Sequence, residues 1–160
     1  MIQIREATAE DVPAIAQVHV KADWDAYAPL FGEQAYALNV AESDQRWRQA
    51  LRDSCLLLVA ADGGVICGLG HAIGDRIDAL YPLSAYHRQG IGTAMFARLL
   101  RFLHEGDITE ARLDVVEINA AAIAFYRAQG ARQIGRCTNR DPRGDTEDLI
   151  FAVATAKGGC

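Results

Sequence analysis

The chain has 160 residues, 51% of them hydrophobic and 23% charged, which is enough apolar material for one domain, residues 1–160, with a real core. A net charge of −5 and a pI near 5.3 argue against a general polyanion binder, so no nucleic-acid partner is expected. Four cysteines without a Cys-x-x-Cys pair or a grouping with histidines indicate reduced thiols and no metal; a start without a leader pattern and the lack of any apolar run near ~20 residues indicate a cytoplasmic protein with no membrane partner.

Ile2 and Ile4 alternate with polar residues and predict a first strand. Thr8 to Asp11 supply N-cap and acidic first-turn residues, and Val12, Ile15, Ala16 and His19 follow at helical spacing, with His19 expected to pack. From Trp24 to Val40 the periodicity fades. Trp24, Tyr27, Pro29, Gly32 and Tyr36 make either a core cluster under a loop or the wall of a substrate site. A second helix is expected from Ser43 or Asp44, with Trp47, Ala50 and Leu51 on one face.

Cys55 to Ala61 is an apolar strand, Asp62-Gly63-Gly64 a turn, and Val65 to Ile73 the returning strand of a hairpin. His71, on that strand, lines a cleft or packs in the core. A further strand over Ile77, Ala79, Leu80 and Leu83 leads into His87-Arg88-Gln89-Gly90-Ile91-Gly92-Thr93. Beyond it Ile91, Met95, Leu99 and Leu103 mark an amphipathic helix that Gly106-Asp107 ends. Ala111 to Val116 predicts a strand, Asn119 caps a helix through Gln129, and Arg132 to Cys137 and Asp148 to Ala154 are two closing strands. The order makes an α/β fold: a mixed sheet of about six to seven strands, flanked by about four helices, with antiparallel hairpins around one parallel strand–helix–strand unit.

Two glycines at a strand-to-helix junction allow a tight turn and a close approach of backbone to ligand. The first N–H groups of a helix lack internal partners and the dipole there is positive, so the segment from His87 to Thr93 reads as an anion site for a phosphate or pyrophosphate. Plain turn chemistry is the competing reading.

Leu80-Tyr-x-Leu-x-x-Tyr-x-Arg-x-Gly-Ile-Gly-Thr-Ala resembles the acyl-CoA-binding segment of the GNAT superfamily of N-acetyltransferases, Gln/Arg-x-x-Gly-x-Gly/Ala, with Gly90 and Gly92 at the glycine positions. His87 stands where the pattern opens with Gln or Arg. A second segment, Asn119-x-x-x-x-x-Phe125-Tyr126-x-x-x-Gly130, is similar to the later part of the same family, and the order of elements matches along nearly the whole chain.

The resemblance implies transfer of an acetyl group from acetyl-CoA to a primary amine. It places the pyrophosphate on the backbone of Arg88, Gln89, Gly90, Ile91, Gly92 and Thr93, beside His87. It places the pantetheine arm on Leu80, Tyr81 and Pro82, with the Leu80 N–H as oxyanion donor; Pro82 departs from the family in having no N–H. Asn119 would hold the cofactor, Tyr126 would be the general acid, and Asp114 the general base, with Asp78 and Glu117 as other carboxylates near the motif. The acceptor is a small amine, a polyamine, or a peptide N-terminus or lysine. Acidic Asp23, Asp25, Glu33 and Asp145 near the variable segments favour a cationic one. A non-catalytic acyl-CoA-binding module is the alternative, and many relatives dimerise, so a homodimer is left open.

Overall fold

The computed structural model describes residues 1–32, 39–53 and 55–156. The strands are β1 (Ile2–Glu6), β2 (Cys55–Asp62), β3 (Val65–Ile73), β4 (Arg76–Pro82), β5 (Glu110–Val116), β6 (Arg132–Asn139) and β7 (Thr146–Ala154). The helices are α1 (Val12–Phe31), α2 (Val40–Ala50), α3 (Ile91–Glu105) and α4 (Ala120–Ala128). The seven strands form one sheet in the order β1-β2-β3-β4-β5-β7-β6. All neighbours are antiparallel except β4 and β5, which is the mixed α/β arrangement the order of elements implied. No helix among the described residues is long and apolar enough to cross a membrane.

Strand alternation sends side chains to two cores. One face carries Leu58, Ile77, Leu113, Leu149 and Phe151 against Met95, Phe96, Leu99 and Leu103 of α3. The other carries Leu57, Val59, Leu69 and Ala79 against Val12, Ile15 and Val18 of α1 and Trp47 of α2. A fully buried side chain of this size contributes about 1.5–3 kcal/mol, so these two layers, rather than surface charges, hold the sheet.

Two segments differ from the sequence expectation. Trp24, Tyr27 and Pro29 lie inside α1, which runs on to Phe31 and closes with Gly32 at φ +82°, its N–H bonded to the Ala28 carbonyl at 2.8 Å. The pattern fades because no residue of α1 after His19 is fully buried, so no apolar stripe records the helix. Helix α2 begins earlier than expected. The Asn39 side chain caps it, accepting from the Ala41 and Glu42 N–H groups at 2.8 and 3.3 Å, and Ser43 is a buried residue one turn in. Tyr36, Glu33 and Cys160 lie outside the described residues.

Candidate active site

β4 and β5 share one register pair, Arg76 opposite Arg112, and then part. β5 turns instead to β7, with which it pairs from Glu110 to Val116. On its other side β4 remains paired with β3: Leu69 lies opposite Tyr81 and Gly70 opposite Leu80, and the Leu83 N–H bonds the Cys67 carbonyl at 2.9 Å. Alternate residues of an antiparallel strand face the same neighbour, so Leu83 and Tyr81 turn their main chain to β3. The Leu80 N–H and the Pro82 carbonyl therefore face the split.

Beyond the split the chain turns through Ser84–Tyr86 into α3, whose N-cap is Gly90 at φ +78°. Arg88 is also left-handed, at φ +65°. No side chain caps this end, and the first internal bond comes from the Ala94 N–H to the Gly90 carbonyl at 3.0 Å, which leaves the N–H groups of Ile91, Gly92 and Thr93 without helical partners. Arg88 and Gln89 are exposed, Ile91 is buried, and Gln129 reaches the Thr93 hydroxyl at 3.5 Å. The two departures from the family pattern meet: His87 Nε2 lies 3.1 Å from the Pro82 carbonyl oxygen.

Tyr126 sits on α4, packed on Phe96 and Phe125 at ring separations of 5.6 and 5.2 Å. Its hydroxyl makes no hydrogen bond among the described residues. Burial first, and the neighbouring Tyr81 second, hold its phenol above the ordinary value, so it stays protonated near neutrality. The Asn119 carbonyl oxygen caps α4 by accepting from the Ala122 N–H at 3.1 Å, leaving its amide N–H₂ free to donate. Asp114, on β5, bonds Arg76 of β4 at 2.6 Å, a tie across the foot of the split. Glu117 bonds Arg136 at 2.6 Å.

Of the four acidic residues expected to favour a cation, the three that lie among the described residues are already paired. Asp23 meets Arg143 at 2.6 Å, Asp25 meets Lys21 at 4.0 Å and Asp145 meets Arg140 at 3.5 Å. Arg143 also takes Asp141 at 2.8 Å and stacks over Tyr27 at 4.5 Å, which fixes the β6–β7 loop to α1. Asp148 is the carboxylate sequence reading missed. It is buried, receives only the Thr146 hydroxyl at 3.0 Å among the described residues, and is held above the usual carboxylate range by burial and then by Asp114 and Glu147. Tyr27 is raised by burial, with Tyr81, Asp148 and Asp23 adding to it.

Sequence reading also missed the pairing of His71 with Asp78, 3.1 Å from Nδ1 to Oδ2, on the face that holds Trp47. His71 Nε2 is the only buried side-chain polar atom among the described residues that lacks a partner, an arrangement that costs about 1–3 kcal/mol when nothing fills it. A register shift in the β3–β4 hairpin creates the pair, and spacing alone carried no signal for it.

Residues 18–131 match the model of the Acetyltransferase (GNAT) family. The chain belongs to that family and is an acyltransferase. It is 27% identical over 143 residues to the uncharacterized N-acetyltransferase YuaI of Bacillus subtilis, covering 84% of this chain and 82% of that protein. Its fold is similar to that of a ribosomal-protein-alanine N-acetyltransferase from Brucella melitensis, with a TM-score of 0.78, 22% identity, and 95% and 99% of the two chains covered. It is similar too to the structure of yncA from Salmonella typhimurium with its cofactor acetyl-CoA, at a TM-score of 0.76, 15% identity, and 99% and 96% coverage.

Proposed function

We propose that this protein transfers the acetyl group of acetyl-CoA to a primary amine by direct attack on the thioester. The observation that carries this reading is the parting of β4 from β5 beyond Arg76, which by strand alternation turns the Leu80 N–H toward the split, with the uncapped end of α3 at the far end of the same strand–helix unit. The backbone from Arg88 to Thr93 receives the pyrophosphate, and His87, held on the Pro82 carbonyl, shapes that loop rather than contacting phosphate through Nε2. Leu80, Tyr81 and Pro82 line the pantetheine arm, and the free amide of Asn119 donates to it.

An alkylammonium with a pKa around ~10 must lose a proton before it attacks. The carboxylates flanking the split, Asp114 on β5 and Asp78 on β4, are the candidates to drive that loss. The Leu80 N–H stabilises the developing oxyanion, and the Tyr126 hydroxyl gives its proton to the departing sulfur. A cationic amine suits the Asp148 side chain, which is buried with no basic partner among the described residues.

Titration calorimetry with acetyl-CoA, beside a free-thiol release assay over small amines, polyamines and peptide amines, tests the proposal. Binding with acceptor-dependent thiol release supports it. Binding without release under any acceptor favours a non-catalytic acyl-CoA module, and no binding removes both.

A further inference from the structure

We propose that His71, oriented by Asp78, is the base that takes the proton of the acceptor amine on its Nε2. This rests on the acetyl-transfer reading above. The pair is built by a bulge: the register passes from Ala72 opposite Ile77 to His71 opposite Ala79, so Asp78 is an extra residue of β4. Its carboxylate meets both His71 Nδ1 at 3.1 Å and Arg46 of α2 at 2.8 Å. The His71 hydrogen bond, and Arg46 after it, hold the Asp78 carboxyl at about 2 against the effect of burial. Asp78 is therefore an acceptor at neutral pH, so Nδ1 is the nitrogen that carries the hydrogen, and in the neutral imidazole Nε2 is the one with the lone pair.

That nitrogen is buried and unpartnered among the described residues, on a residue only 4% exposed. Its neighbour cannot satisfy it, because Trp47 Nε1 donates to His19 Nδ1 at 3.2 Å while its ring stands edge-on to both imidazoles. His19 supplies the contrast. It is buried to the same extent, but its Nδ1 is met by the Trp47 N–H and by Ser43 Oγ at 2.7 Å, so it is a packing residue. His71 lies opposite Ala79, one residue before Leu80, whose N–H faces the split. Asp114, the other candidate, is engaged by Arg76 at 2.6 Å.

The step balances in protons. The ammonium gives one proton to Nε2, directly or through one water. The amine lone pair forms the C–N bond at the thioester carbonyl, the C–S bond breaks with its electron pair on sulfur, and the second nitrogen proton reaches that sulfur by way of Tyr126. His71 then releases its proton to solvent. The charged and titratable groups around it are Asp78 on β4, Arg46 on α2 and, beyond Trp47, His19 on α1 with Tyr81 of β4 stacked on it at 5.6 Å. Burial, with Arg46 adding, lowers His19 to about 4.

The test is the pH profile of kcat for His71→Gln and Asp78→Asn, beside acetyl-CoA affinity by calorimetry. The expected result for His71→Gln is a loss of about 10²-fold in kcat with acetyl-CoA affinity within twofold of the parent. Its low-pH limb should be replaced by a rate that climbs with the amine's own deprotonation. Asp78→Asn should shift the limb in the same sense with a smaller loss. A parental limb in His71→Gln overturns the proposal, most directly if Asp114→Asn loses the limb instead. Should His71→Gln fail to bind acetyl-CoA, a parental limb in Asp78→Asn overturns it. A parent enzyme that releases no thiol with any amine defeats the acetyl-transfer reading itself, a result distinct from these.

Discussion

His87 Nε2 donates to the carbonyl oxygen of Pro82 across 3.1 Å, so the imidazole at the head of the glycine loop ties down the end of β4. Pro82 offers no N–H to the split, and its carbonyl is spoken for by His87. Pro82→Ala returns an N–H on the side of the main chain that faces β5. Acetyl-CoA affinity should rise about 2–10-fold, the worth of one hydrogen bond, measured by calorimetry. His87→Ala should lower it by a similar factor while kcat stays within twofold.

Gly90 and Gly92 answer to different physics. Gly90 holds φ +78°, so Gly90→Ala should cost about 1–2 kcal/mol in urea unfolding. At Gly92 an added Cβ would rest 3.5 Å from the Phe125 ring, an ordinary contact, and alanine favours helix by up to about 1 kcal/mol. Gly92→Ala should therefore fold as well as the parent or better, and because the family pattern accepts alanine here its acetyl-CoA affinity should stay within about threefold. A tenfold loss in that variant would mean that the pyrophosphate needs the bare backbone at this position.

Tyr126→Phe keeps the packing on Phe96 and Phe125 and removes a hydroxyl without a hydrogen bond among the described residues. Thermal stability should be unchanged, while kcat falls about 10²-fold with little change in acetyl-CoA affinity. A parental kcat and pH profile would take the acid role away from this residue.

His19 should make the fold sensitive to mild acid. Burial lowers it from 6.5 to about 4, so below 6.5 the unfolded chain binds a proton that the folded chain refuses. The stability linked to this site is complete above pH 6.5 and drains away as pH falls toward 4, by about 3 kcal/mol in all. His19→Gln can still accept from Trp47 and Ser43. It should show a flatter stability curve between those pH values, read as the difference between variant and parent in urea midpoints.

The amphipathic face of α3, the apolar runs of β2 and β3, the Asn119 cap and the Gly90/Gly92 junction were legible in the chain because each is local: a period, an apolar run, a cap or a left-handed φ is written within a few residues. The same locality hid the second half of α1, where the aromatics are only half-buried and leave no stripe. Only the tertiary structure decided that β4 abandons β5 after Arg76, that His87 reaches back to Pro82, that Arg143 cancels Asp23, and that a bulge sets Asp78 beside a histidine with an unpaired lone pair. Those relations join residues far apart in sequence, turn on a one-residue change of register, or, for His87 and Pro82, depend on how the turn between them folds back, and a strand's spacing reads the same on either side of such a shift.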